Sequence, residues 1–153
     1  MKLGLIPIPY LITMDDPKQA ISAAEQLTIN GLRATPQREL VYRVLLQTRD
    51  HPSVEEVFSR AKALMPTISL ATVYNCLDAL VGCRLVKQVN FERGASRYCP
   101  NLCEHAHFQD ETTGRIVDIN LPAELFGQLR GILPAGYEAT SIELNIRGHA
   151  AAH

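Results

Sequence analysis

The strongest constraint in this chain is the stretch Cys99-Pro-Asn-Leu-Cys103-Glu-His105-Ala-His107-Phe108, answered shortly afterwards by Gly114-Arg-Ile-Val-Asp118-Ile119. Side chains alternate faces along a strand, so two histidines one residue apart point the same way. A turn over residues 109–114 would return residues 115–119 antiparallel and set Asp118 close to opposite His105. Two imidazoles and a carboxylate then converge, with Cys99 entering from just upstream. Such donors form a transition-metal ligand set. An exposed hairpin that merely carries histidines is the competing reading, and spacing alone does not separate the two.

Charge is divided unevenly along the chain. The net charge is only −1, yet residues 31–98 carry 10 Lys and Arg against 6 Asp and Glu, and residues 99–153 carry 3 against 7. A basic half joined to an acidic half implies an anion-binding module followed by one with another task. At 153 residues, 46% apolar and 20% charged, the chain suits one folded domain or two small ones. The cysteines, Cys76, Cys83, Cys99 and Cys103, contain no Cys-x-x-Cys pair, and no secretory signal is evident, so a reduced, cytoplasmic chain is expected. Of these, Cys103 is expected to be buried, with a role as a substitute metal ligand as the alternative. Residues 1–14 are apolar but too short to span a bilayer and are broken by Pro7 and Pro9. An irregular arm and no membrane partner are expected.

Helix signals dominate the basic half. Asp15-Asp16-Pro17 reads as a helix start, followed by the apolar stripe Ala20, Ile21, Ala24 and Leu27 and stopped at Asn30-Gly31. Thr35 is the expected N-cap of a second helix, with Leu40, Val41, Val44 and Leu45 inward. Ser53-Val-Glu-Glu56 is a capping box opening a third, which buries Val54, Val57, Phe58 and Ala61. Ser69 caps a fourth over residues 70–81, where Leu70, Val73, Leu77 and Leu80 face one way and Ala71, Tyr74, Asn75 and Asp78 the other. An exposed Tyr-Asn pair suits a helix lying in a DNA groove, and a plain solvated surface gives the same pattern. Two strands, residues 85–91 and 95–99, joined by Glu92-Arg93-Gly94, complete a winged helix-turn-helix. Lys87, Arg93 and Arg97 then offer cations to phosphate.

The acidic half reads as strand 105–109, strand 115–120, helix 122–133 and strand 140–147, the last with Ile142, Leu144 and Ile146 on one face. The expected fold class is therefore α+β: an arm over residues 1–14, an N-terminal winged-helix DNA-binding domain over 15–98, and a small C-terminal α/β metal-binding and dimerisation domain over 99–153. A unit of about 50 residues is small to stand alone. Pairing with a second copy completes its core and matches a twofold DNA site.

Taken as a set, several stretches resemble the Fur family of bacterial metal-responsive repressors, which has iron, zinc and peroxide-sensing branches. They are Gly31-Leu-Arg-Ala-Thr-Pro-Gln-Arg38, His51-Pro-Ser-Val-Glu-Glu56, Ser69-Leu-Ala-Thr-Val-Tyr-Asn-Cys-Leu77, Gly94-Ala-Ser-Arg-Tyr98, His105-Ala-His107 and Gly114-Arg-Ile-Val-Asp118. The resemblance implies a winged-helix domain, a dimerisation domain and one regulatory divalent metal per chain, held by His51, Cys99, His105, His107 and Asp118. Iron and peroxide sensors usually have a carboxylate where Cys99 stands. Thiolate favours zinc, with iron or manganese as alternatives. A structural zinc on four cysteines is not expected, because Asp110 and Thr113 occupy the positions of its first cysteine pair.

Operator contacts are assigned to Arg33, Tyr74 and Asn75, and phosphate contacts to Arg93 and Arg97. Asn75 stands where the family usually has a cation, and Asn pairs bidentately with adenine. The function expected is metal-dependent repression by a homodimer bound to operator DNA. A zinc enzyme is the alternative from another class, although no general base lies at a motif spacing. A metal-independent DNA-binding protein is a third reading; it predicts operator binding unchanged by chelator.

Overall fold

The structure, a computed structural model, describes residues 21–91 and 94–152. The expected arm, the helix start at residues 15–17, Ala20 of the expected first stripe, and Arg93 with the turn before Gly94 lie outside the described residues. The chain divides into two compact units, the first ending at Leu102 and the second beginning at Cys103.

In the first unit, helices α1 (Ala23–Ile29), α2 (Pro36–Thr48), α3 (Val54–Leu64) and α4 (Leu70–Gly82) precede strands β1 (Lys87–Val89) and β2 (Arg97–Cys99). The strands pair antiparallel with Gln88 opposite Tyr98. Each helix begins where a side chain satisfies an amide that the helix leaves open. Thr35 accepts from Arg38 N, Ser53 from Glu56 N and Ser69 from Thr72 N, as expected from the sequence. The helix carrying Ala24 and Leu27 begins at Ala23, after a capping box of Ser22 and Glu25, so Ile21 precedes it rather than joining its stripe. Reciprocal bonding of two open amides fixes that start.

The core joins α2, α3 and α4 around Val41, Leu45, Val57, Ala61, Val73, Leu77 and Leu80, all fully buried. On α4 the apolar stripe is shifted from the expected one: Leu70 is 39% exposed and Cys76 is buried in its place. Ala71, Tyr74, Asn75 and Asp78 are exposed, as the pattern required. Phe58 is only half-buried, with the Lys62 ammonium 5.1 Å from its ring centroid.

Between α2 and α3 the backbone turns left-handed at Arg49 (φ 48°) and His51 (φ 55°), a conformation that costs non-glycine residues energy. A fork across the turn holds it: Arg60 donates to both Asp50 oxygens at 2.8 and 2.6 Å, and Thr48 Oγ1 donates to Asp50 Oδ1 at 2.7 Å. The Arg60 hydrogen bond is the main cause that lowers the Asp50 carboxyl to about 2.

The second unit contains β3 (Ala106–Asp110), β4 (Ile116–Ile119), α5 (Ala123–Gly131) and β5 (Asn145–Gly148). Its sheet has the order β4-β3-β5, with β3 antiparallel to β4 and parallel to β5. The hairpin register differs from the expected one, because Asp118 lies opposite His107 and Ile119 opposite Ala106. The turn sets this register. Asp110 accepts from Thr112 N and Thr113 Oγ1, both at 2.9 Å, and Gly114 takes φ 74°. The last strand is shorter than expected: it runs over Asn145–Gly148, Leu144 O accepts from His107 N at 2.9 Å just before it, Ile142 and Leu144 are half-buried, and Ile146 is 48% exposed. Val117, Ile132, Leu133 and Tyr137 add further exposed apolar surface, while Phe126 of α5 is buried.

Two outcomes follow. Leu77→Ala removes a fully buried side chain at the centre of the helical core, and urea denaturation should show a loss of about 2–5 kcal/mol. Asp50→Asn should cost no more than about 1 kcal/mol, because the ion pair is partly solvated. The Asp50 carboxyl is depressed from 3.8 to about 2, so its stabilisation is present above the unfolded value and fades as pH falls through the folded one. Stability curves of the parent and Asp50→Asn should therefore converge between about pH 4 and 2.

Candidate metal centre

Each unit gathers part of a donor set. In the second, His105 Nε2 and His107 Nε2 are 3.0 Å apart, and Asp118 Oδ1 lies 3.2 Å from the first and 3.4 Å from the second. The two rings meet edge to face at 75°. Both histidines are buried, and the Asp118 side chain is 27% exposed.

A tetrahedral ion with bonds of about 2.0–2.1 Å separates its ligands by roughly 3.3 Å. The three distances fit one face of such a tetrahedron, so these residues suit a divalent metal. His105 Nδ1 lies 2.6 Å from the carbonyl oxygen of Cys103. A carbonyl only accepts, so Nδ1 carries the proton and Nε2 keeps its lone pair in the neutral ring, the form a metal requires. Cys103 itself is exposed, contrary to the expected burial, and it contributes through its backbone. Asp110 and Thr113 are bonded to each other within the hairpin turn.

In the first unit, His51 and Cys99 are buried and offer donor atoms within 4.8 Å of each other. They are far apart in sequence and are brought together by β2. Tyr98 N donates to Pro52 O at 3.1 Å. The Arg97 guanidinium donates to Glu56 Oε2 at 2.8 Å and reaches the His51 carbonyl at 3.5 Å. Glu56 Oε2 also accepts from Ser53 N at 2.7 Å, closing the capping box of α3. No local pattern in the sequence signals the Arg97–Glu56 link.

Among the residues assigned to DNA, Tyr74 and Asn75 lie on the exposed face of α4, with Tyr74 42% exposed. Arg33 is exposed just before α2, and Lys87 is exposed on β1. Arg97 is half-buried, and its guanidinium is engaged by Glu56.

A capped helical unit ending in a two-stranded wing, followed by a small sheet with a His-His-Asp donor face, defines a winged-helix chain of the metal-binding kind. The Ferric uptake regulator family matches residues 29–147, and the chain belongs to it. It is 35% identical over 92 residues to the peroxide-responsive repressor PerR of Staphylococcus epidermidis, a match covering 60% of this chain and 61% of that one. The chain thus spans about three-fifths of the length of that curated relative. Among solved structures, a zinc-bound manganese uptake regulator is 28% identical with a TM-score of 0.66, covering 86% of this chain and 100% of its own. A Campylobacter jejuni peroxide stress regulator is 26% identical with a TM-score of 0.68, covering 86% and 98%. The ferric uptake regulator of Pseudomonas aeruginosa with manganese shares the fold at a TM-score of 0.72 and 23% identity, covering 86% and 100%.

Titrating zinc into variants tests the donor face. His107→Ala and Asp118→Ala should each weaken zinc binding by more than the roughly 10- to 100-fold that losing an outer partner costs. Asp110→Ala, which loosens the turn without removing a donor, should weaken zinc binding less than either substitution while destabilising the hairpin by about 1 kcal/mol.

Proposed function

We propose that this chain is a metal-dependent DNA-binding transcriptional repressor, acting as a homodimer in the cytoplasm and responding to one divalent ion per chain, zinc in preference to iron or manganese. The observation that carries the reading is the His105, His107 and Asp118 face, whose donor spacing suits a divalent metal, in a chain of the Ferric uptake regulator family. Cys99 supports zinc, since thiolate is a soft ligand. The family membership and the exposed Tyr74 and Asn75 of α4 support a DNA partner rather than a catalytic role. Exposed Val117, Ile132 and Ile146 supply apolar surface for a second copy. Among the described residues no helix is long and apolar enough to cross a membrane.

The proposed mechanism is conformational selection. His51 and Cys99 belong to the first unit, and His105, His107 and Asp118 to the second. One ion ligated by both sets restricts the orientation of the DNA-reading unit. Two half-sites are read together only when the recognition helices are spaced by one turn of the duplex, about 34–36 Å, or a multiple of it. Metal thereby raises operator affinity, and by linkage operator DNA raises metal affinity equally. Arg33, Tyr74 and Asn75 are the proposed operator contacts, with Asn75 reading adenine, and Arg93 the proposed phosphate contact, whereas the Arg97 guanidinium is engaged by Glu56.

A second reading, peroxide response through bound iron, is favoured by the name of the relatives at 35% identity. The two readings part on metal content and ligand use. Protein purified without oxygen should contain about one zinc per chain, and chelator or Cys99→Ser should remove both the zinc and operator binding. Bound iron with Cys99 dispensable would transfer the chain to the iron or peroxide reading. Operator binding unchanged by chelator would refute metal dependence.

A further inference from the structure

By sequence Arg97 is a phosphate contact, but its surroundings point elsewhere. It precedes Tyr98 and Cys99 in β2, and each of the first two residues is fastened to the start of α3. Arg97 reaches Glu56 Oε2 at 2.8 Å and the His51 carbonyl at 3.5 Å, while Tyr98 N donates to Pro52 O at 3.1 Å. Glu56 is itself fixed, because its Oε2 accepts from Ser53 N at 2.7 Å. One carboxylate therefore joins the residue after Pro52 to the residue before Tyr98. His51 and Cys99 stand at the two ends of this lattice.

The need for such a tie is physical. His51 holds a left-handed backbone, φ 55°, a minority conformation for residues with a side chain and one that costs energy. Cys99 is the last residue of a three-residue strand that among the described residues pairs with β1 alone, and so short a ladder defines its position weakly. Metal affinity depends on donors being held before the ion arrives, and outer partners supply that orientation.

The geometry assigns Arg97 and Glu56 as positioning residues for the first unit's metal donors: the Arg97–Glu56 ion pair holds the turn of His51 against the strand of Cys99. This rests on the metal-binding reading given above. It moves Arg97 from DNA contact to metal site, and it makes the wing strand part of the metal-binding apparatus.

The test is cobalt binding to the full chain, followed by absorption, in the parent, Arg97→Ala, Glu56→Gln and the double variant. Gln preserves the capping box, so Glu56→Gln breaks the ion pair without opening α3. Each single variant should weaken Co²⁺ binding by about tenfold and reduce the thiolate-to-cobalt charge-transfer band. The double variant should be no weaker than the worse single one, because both remove one interaction. The unfolding midpoint of the chelated Glu56→Gln protein should match the parent. Cobalt affinity and band intensity within about twofold of the parent in both single variants overturn the assignment. A salt slope of DNA binding lowered by about 1 in Arg97→Ala, with metal binding intact, would return Arg97 to phosphate. A parent that binds no cobalt overturns the metal reading itself and this inference with it.

Discussion

The register of β3 against β4 governs what the second unit can offer a metal. Because side chains alternate, a slip of one residue would send Asp118 to the face opposite His107. The observed pairing of His107 with Asp118 is pinned by the turn, where Asp110 closes on Thr112 N and Thr113 Oγ1. His105, just before the strand, joins them by bonding its Nδ1 to the Cys103 carbonyl, which leaves Nε2 toward the shared centre. Three donors at 3.0, 3.2 and 3.4 Å are the consequence.

The first unit solves a different problem, since its donors come from an interhelical turn and a short strand. Its helices are defined by side-chain caps, each contributing about 1 kcal/mol, and by a core centred on α2 and α4. That rigid set leaves the α2–α3 turn as the strained element. The Asp50–Arg60 fork braces it from one side, and the contacts of Tyr98 and Arg97 brace it from the other. Each hydrogen bond is individually modest, about 0.5–1.5 kcal/mol. Their effect is to remove freedom from His51, not to add much stability.

Much of this was legible because it is local. Thr35, Ser53 and Ser69 announce helix starts within four residues, and the exposed face of α4 follows from its period. The box of Ser22 and Glu25 is equally local, and the acidic residues and proline at 15–17 offer a competing start signal just upstream. What escaped depends on distance or on partners. The exact opposite of Asp118 required the geometry of a turn, which spacing does not specify. Ile146 follows the alternation of a half-buried strand yet is 48% exposed in the single chain, because β5 is a short edge strand. The ion pair of Arg97 joins residues 41 apart, and nothing in either neighbourhood indicates the other.

The central claim is that metal restricts the orientation of the first unit against the second. The most direct measurement is the distance distribution between spin-labelled noncanonical residues replacing Ser59 of α3 and Gln128 of α5, in protein diluted with unlabelled chains. Both positions are exposed and lie outside the donor set. The account predicts a broad distribution in chelator that collapses to a narrow one when zinc is added, and that collapse is lost in Cys99→Ser. Identical distributions with and without bound zinc would contradict it.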